Sequence, residues 1–224
     1  MRDHQLRTGQ DISFTHVLRP AVERALLEPA PRTLLDVGCG SGYFTELLAP
    51  NFEHTVGIDP SRGSIELARS NSTGRVDFRH ASAETYSSSA TDQFDAILAH
   101  MTLMDSPDLV RVLRDIFQLA ASQAHFISTI THPWFWPRYW GYADADWFEY
   151  EKEIFIEAEF SISKSNSGLT STHVHRPLEM YHSAMITAGF SVDSIIEPMP
   201  SDESRALYPE AWKYPRFLMF VCSK

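Results

Sequence analysis

The stretch Leu34-Leu35-Asp36-Val37-Gly38-Cys39-Gly40-Ser41-Gly42-Tyr43-Phe44 runs from an apolar segment through three alternate glycines into residues that suit a helix. Glycine at alternate positions lets the backbone take positive φ and come close to a bound group, while the helix that follows offers free N–H donors. A plain β-to-α turn would explain the glycines alone. The spacing Gly38-x-Gly40-x-Gly42, however, is not the G-x-G-x-x-G of a dinucleotide fold, and Asp36 already stands inside the strand end. An anion gains little from that carboxylate, whereas a ligand with an ammonium group gains directly.

Outward from this turn the chain alternates. Strand-like runs occupy 33–37, 54–58, 76–79, 94–99 and 125–130, with helical patterns between them at 43–49, 61–70 and 108–121; Leu109, Val112, Leu113 and Ile116 share one face of the last. A helical opening covers 14–27. Short strands separated by helices imply right-handed crossovers and a parallel sheet covered on both faces. Ligands of such sheets gather beyond the carboxyl ends of the strands. Asp59 ends the second strand, where a carboxylate takes a ribose diol by two hydrogen bonds; the bland reading is a turn or helix-capping residue.

The last third changes character. Residues 153–163 and 169–174 alternate around Asn166-Ser167-Gly168, which predicts a hairpin turning at that triplet. A helix over 177–188 and two strands, 191–196 and 216–222, complete the chain.

At 224 residues, 43% apolar and 21% charged, the chain is long enough for one full core and too short for two ordinary domains. We expect a single domain over 1–224, with an N-terminal helical segment at 1–30 and an inserted lid or substrate-binding region at 133–176. A net charge of −10 argues against nucleic acid as a partner. Cys39 and Cys222 have neither metal-ligand nor disulfide-framework spacing, and no signal-peptide or membrane-spanning pattern is present, so a cytoplasmic setting is expected with no membrane partner.

The segments LLDVGCGSGYF (34–44), VGIDPS (56–61), FRHASAE (78–84) and FDAILAHMTLMDSPDL (94–109), in this order and spacing, resemble the class I S-adenosylmethionine-dependent methyltransferases, over about Leu34 to Cys222. The resemblance implies an α/β, Rossmann-like seven-stranded sheet, mostly parallel with its last strand antiparallel, helices on both faces, and a hairpin-containing insertion after the fifth strand. Carried over by position, Asp36 and the backbone of Gly38, Cys39 and Gly40, in the turn closed by Gly42, would hold the methionine part of S-adenosyl-L-methionine and of its product, S-adenosyl-L-homocysteine. Asp59 would take the ribose, with Pro60 and Ser61 beside it. Ser82, Ala83 and Glu84 would flank the adenine, and His100 and Met101 would line the cofactor after the fourth strand. The family often has Asp where this chain has Ser82, which implies a weaker or rearranged adenine contact.

One stretch is unusual: His132 to Tyr150, HPWFWPRYWGYADADWFEY, holds nine aromatic residues and four of the five tryptophans. It leaves the fifth strand at the ligand-bearing edge, so Trp134, Trp136, Tyr139, Trp140 and Trp147 are expected to roof a substrate cavity. A satellite core or a dimer surface would use the same rings. Aromatic walls suit a flat ring or a cationic amine; Asp144, Asp146 and Glu149 permit the latter. Histidines supply the possible bases: His100 and His132 follow strands, while His173 and His175 share one strand face. His132, His175 and His100 are the expected catalytic residues, and His173 joins the substrate wall.

Methyl transfer from a sulfonium needs alignment first, a contribution of roughly 7 to 11 kcal/mol against about 3 to 5 kcal/mol from a general base. The expected activity is therefore methyl transfer to an oxygen or nitrogen, less readily a carbon, of a small aromatic or amine-bearing metabolite, without a metal, by a monomer or homodimer. A non-catalytic cofactor binder whose insertion contacts a partner subunit is the rival, and a nicotinamide oxidoreductase a distant third.

Overall fold

The computed structural model describes residues 2–28, 30–162, 165–208 and 211–224. Seven strands form one sheet: β1 (Thr33–Val37), β2 (His54–Asp59), β3 (Val76–His80), β4 (Phe94–His100), β5 (Ala120–Thr131), β8 (Ser191–Ile196) and β9 (Phe217–Ser223). Their order is β3-β2-β1-β4-β5-β9-β8, and only β9 runs antiparallel to its neighbours. The expected architecture is thus present.

Alternation along the strands supplies both faces of the core. Leu35, Ile97, Phe126 and Phe220 point to one side, where α6 (Leu109–Leu119) and α8 (Leu178–Ala188) bury Leu113, Ile116, Tyr181 and Met185 against them. Leu34, Leu98, Ile127 and Met219 point to the other, under α2 (Arg19–Leu27) and α3 (Tyr43–Leu48). Asp108 starts α6 by accepting the N–H of Arg111 at 3.0 Å. The remaining helices are short: α1 (Arg2–Arg7), α4 (Arg62–Ser70), α5 (Ala83–Ser87), α7 (Trp136–Tyr139) and α9 (Asp202–Arg205).

Three boundaries differ from expectation. The strand placed at 125–130 begins at Ala120, directly after α6, because a bulge with Gln123 at φ +67° interrupts its alternation. The opening helix starts with a π-helical turn, Phe14–Leu18. In the hairpin, β6 (Ile154–Ile162) pairs with β7 (Ser165–His175), and Asn166 faces Ser161, so Asn166-Ser167-Gly168 lies inside a strand. The register slips between Glu159 and Ser161, and those residues take up the slack as a bulge, a second use of glycine in a strand that sequence does not separate from a turn. Residues 163 and 164, between the strands, lie outside the described residues.

Arg176 fastens the hairpin to the sheet. Its side chain is fully buried, pairs with Glu153, and donates to the Ser106 carbonyl at 2.7 Å in the loop after β4. Among the described residues no helix is long and apolar enough to cross a membrane.

Candidate active site

The β1–α3 turn and the tip of β2 are built as one unit. Gly38, Gly40 and Gly42 take φ of +75°, +57° and +74°. A Cβ on Gly38 would lie 2.4 Å from the Thr102 side chain, whereas one on Gly40 would meet nothing within 4 Å. The N–H groups of Gly38 and Cys39 both donate to the Ile58 carbonyl, at 2.8 and 3.0 Å, and that of Gly40 donates to Asp59 Oδ2 at 2.9 Å. Asp59 Oδ1 accepts the Ser61 N–H at 2.8 Å. The N–H groups of Gly38, Cys39 and Gly40 are thus engaged internally, which counts against an anion cradle, and the charge at this joint is carboxylate.

Asp36, near the end of β1, is buried beside this turn, 2% exposed. Thr45 donates its hydroxyl to Oδ2 at 2.6 Å, while the buried Oδ1 has no hydrogen-bond partner among the described residues. Burial, with some help from the charge of Asp59, pushes its pKa up to about 7 against the opposing Thr45 bond. A buried acceptor with no donor, next to a second carboxylate, is a site prepared for a cation. Cys39 is no thiolate nucleophile, since burial drives its pKa far upward.

After β3, Ser82 caps α5 in a reciprocal pair with Thr85: its hydroxyl accepts the Thr85 N–H at 3.1 Å, and its own N–H donates to Thr85 Oγ1 at 2.8 Å. Ala83 is buried beneath that cap, Glu84 is exposed and pairs with Arg111, and Pro60 gives its carbonyl to His80. After β4, Met101 holds a left-handed φ of +53°, a strain that clusters at functional sites, and donates its N–H to the Thr129 carbonyl at 2.9 Å. His100 Nδ1 meets Thr129 Oγ1 at 2.9 Å, and its ring lies edge-on to Phe14 and Phe44.

The match to known proteins agrees with this construction. The family described as "Methyltransferase domain" matches residues 7–193. The chain belongs to the class I S-adenosylmethionine-dependent methyltransferases. It is 33% identical over 105 residues to a ubiquinone biosynthesis O-methyltransferase of Aromatoleum aromaticum, a match over 45% of each chain, so it spans about half the length of the curated relatives it matches. A chain from Listeria monocytogenes assigned as an S-adenosylmethionine dependent methyltransferase has the same fold, with a TM-score of 0.70, 22% identity, and 91% of this chain and 96% of that one covered. So does the N-methyltransferase NodS from Bradyrhizobium japonicum WM9 in complex with S-adenosyl-L-homocysteine, with a TM-score of 0.60, 15% identity, and 92% and 85% covered. The residues of the turn fit the cofactor of this methyltransferase family: the orphaned Asp36 oxygen suits an ammonium, the Asp59 carboxylate keeps lone pairs for a diol, and Gly40 leaves room above the turn.

The other histidines of this methyltransferase are engaged. His132 is buried; Nδ1 accepts the Trp134 N–H at 3.2 Å and Nε2 therefore donates to Glu197 Oε1 at 2.9 Å. Burial lowers its pKa, against the opposing influence of Glu197. His175 gives Nε2 to the Tyr150 carbonyl at 2.9 Å, and burial lowers its pKa as well. His173 Nε2 faces the Tyr142 hydroxyl at 3.3 Å, Nδ1 is buried without a partner among the described residues, and burial with the neighbouring His175 brings its pKa down to about 4. The expected common pocket for His173 and His175 exists as a cavity of about 10 Å³, the size of a single water.

The aromatic stretch divides. Trp140 meets His173 edge-on at 4.6 Å, and Tyr142 stacks on Trp147 at 5.5 Å, so part of it is a satellite core. Trp134 and Trp147 remain 49% and 54% exposed. Trp136 lies between two spaces: one side faces the small histidine cavity, the other a groove of about 530 Å³ that it forms with Tyr139, Trp212 and Arg216. Trp136 and Met101 also pack on the same cluster as Ile12, Val17 and Trp212, which carries the groove wall to the tip of β4. The C-terminal contribution was missed from sequence. Its signal was available: a last strand antiparallel to β5 must enter at the carboxyl edge, which puts Trp212 and Arg216 there.

Proposed function

We propose that the chain transfers a methyl group from S-adenosylmethionine to an oxygen of a small aromatic metabolite, with nitrogen and then carbon as the lesser alternatives. The observation that carries this reading is the joint built by Asp36, Gly40 and Asp59, in which two carboxylates converge on one turn and one buried oxygen has no donor. The bound cofactor supplies an electrophilic methyl carbon. Asp36 holds its ammonium end and Asp59 its ribose hydroxyls, with Pro60 and Ser61 beside them, while Ser82, Ala83 and Glu84 border the adenine and His100 and Met101 the path beyond β4. Trp136 and Tyr139 help align the acceptor and exclude water from it, the two tasks a charge-dispersing displacement sets the protein. The O-methyltransferase name borne by relatives at 33% identity supports oxygen as the acceptor atom.

His100 is the histidine best placed as base, since it stands at the tip of β4 beside the left-handed Met101. Residues 133–176 act as the acceptor-side cover. A second reading, a cofactor binder whose insertion meets a partner, is favoured by the exposure of Trp134, Trp147 and Phe155. Incubation with methyl-labelled cofactor and fractionated metabolites separates the two: label must appear in a small molecule, and label confined to the cofactor pool despite tight S-adenosylhomocysteine binding would favour the binder.

A further inference from the structure

We propose that the groove between α7 and the segment before β9 is the acceptor site, and that it selects a planar aromatic molecule carrying an anionic group such as a carboxylate. Its volume of about 530 Å³ is that of a small-ligand site. Its walls are the faces of Trp136, Tyr139 and Trp212, and its charges are Arg138, Lys213 and Arg216; no carboxylate lines it among the described residues. In a chain with a net charge of −10, three cations and, among the described residues, no acid around one aromatic cleft is a local inversion of the field.

Arg216 is the fixed point. Its guanidinium stands 4.7 Å from the Tyr139 ring centroid and 4.5 Å from that of Trp212, held by two π faces. None of the ion pairs among the described residues uses Arg216, Arg138 or Lys213. A guanidinium oriented by aromatic faces and lacking a carboxylate partner keeps its N–H edge for a bidentate acceptor. Trp212, 5% exposed, adds an indole N–H that is buried and has no acceptor among the described residues. Phe135 and Tyr214, stacked at 4.7 Å and 12°, add a flat apolar wall. Aromatic faces take the ring of the ligand and the cations take its charge. The acidic residues of the insertion, by contrast, do not line the groove, which turns selection away from amines.

The role as acceptor site rests on the methyltransferase reading; the preference for an aromatic anion does not. The test titrates three para-substituted phenols, the isosteric 4-hydroxybenzoate and 4-hydroxybenzamide and the cationic tyramine, into the full chain saturated with S-adenosylhomocysteine, followed by tryptophan fluorescence and calorimetry. The benzoate is expected to bind about tenfold or more tighter than the amide, with tyramine weakest, as charge-assisted hydrogen bonds imply. Arg216→Gln is expected to bring benzoate and amide within about twofold of each other with S-adenosylhomocysteine affinity intact. Because Arg216 also packs, the exposed Arg138→Gln provides a second variant, expected to weaken benzoate severalfold and leave the amide unchanged. Equal binding of the three probes, or an anion preference that survives both substitutions, overturns the proposal. If the probes bind in the expected order while no acceptor receives labelled methyl, the anion site stands and the methyltransferase reading falls; labelled transfer with indifferent probe binding gives the reverse.

Discussion

The carboxyl of Asp36 carries Thr45 on one oxygen and, among the described residues, no hydrogen-bond partner on the other, and burial holds its pKa near 7, above an ordinary value of 3.8. The folded chain thus keeps this proton longer than the unfolded one, so the group's contribution to stability is present below about pH 4 and is lost as pH rises through 7. A ligand ammonium reverses the preference by favouring the ionised form. S-adenosylhomocysteine affinity should therefore rise with pH up to about 7, with a proton released on binding just below that pH. Asp36→Asn should abolish that release; calorimetry in buffers of differing ionisation heat reads it, and wild-type binding that releases no proton would refute the assignment. At Asp59 the prediction is one of magnitude. Asp59→Ala removes a diol acceptor and also the bond to Gly40, so cofactor binding should weaken by about 1.5 to 3 kcal/mol or more. Unchanged binding would take Asp59 out of the site.

At the scale of elements, the glycine turn and the hairpin anchor are the two joints that matter. Gly38→Ala meets both a left-handed φ and Thr102 at 2.4 Å, whereas Gly40→Ala meets the left-handed φ alone. The second should cost about 1 to 2 kcal/mol and the first clearly more, read as the difference in denaturation midpoints. Equal losses would mean that Thr102 moves aside freely. Arg176 is the other joint. Its removal orphans the Ser106 carbonyl and leaves Glu153 unpaired, although Glu153 is 37% exposed. Arg176→Met should therefore destabilise toward the lower end of about 3 to 5 kcal/mol, and hydrogen exchange should rise in β7 and in residues 103–107 together. A rise in only one of the two would show that Arg176 does not couple them.

Across the whole molecule, Trp136 connects the tip of β4 to the groove through the cluster it shares with Met101 and Trp212. Trp136→Ala should raise the acceptor KM or lower kcat while S-adenosylhomocysteine affinity stays constant. A parallel loss of cofactor affinity would make Trp136 part of the general core instead. The same view shows how far the sequence was readable. The β1 turn and Asp36 were legible because their pattern is local: strand, acid, alternate glycines and helix start follow one another within eleven positions, 34–44. The strand after α6 was shortened in that reading because its bulge at Gln123 breaks a period of two. The hairpin turn was misplaced because a glycine in a bulge and a glycine in a turn look alike.

The sequence by itself determined the parallel α/β core, its ligand-bearing edge and the two carboxylates at the tips of β1 and β2, since each depends on short-range periodicity and on backbone φ that glycine permits. Tertiary structure alone decided what the histidines and aromatic rings do. His132 is held by Glu197, 65 residues away, and His100 by Thr129, 29 residues away. Arg216 finds Tyr139 only because β9 returns antiparallel to β5. Such partners come from contacts between distant parts of the chain, and whether a ring packs, caps or faces a ligand depends on which neighbours the closed fold brings against it.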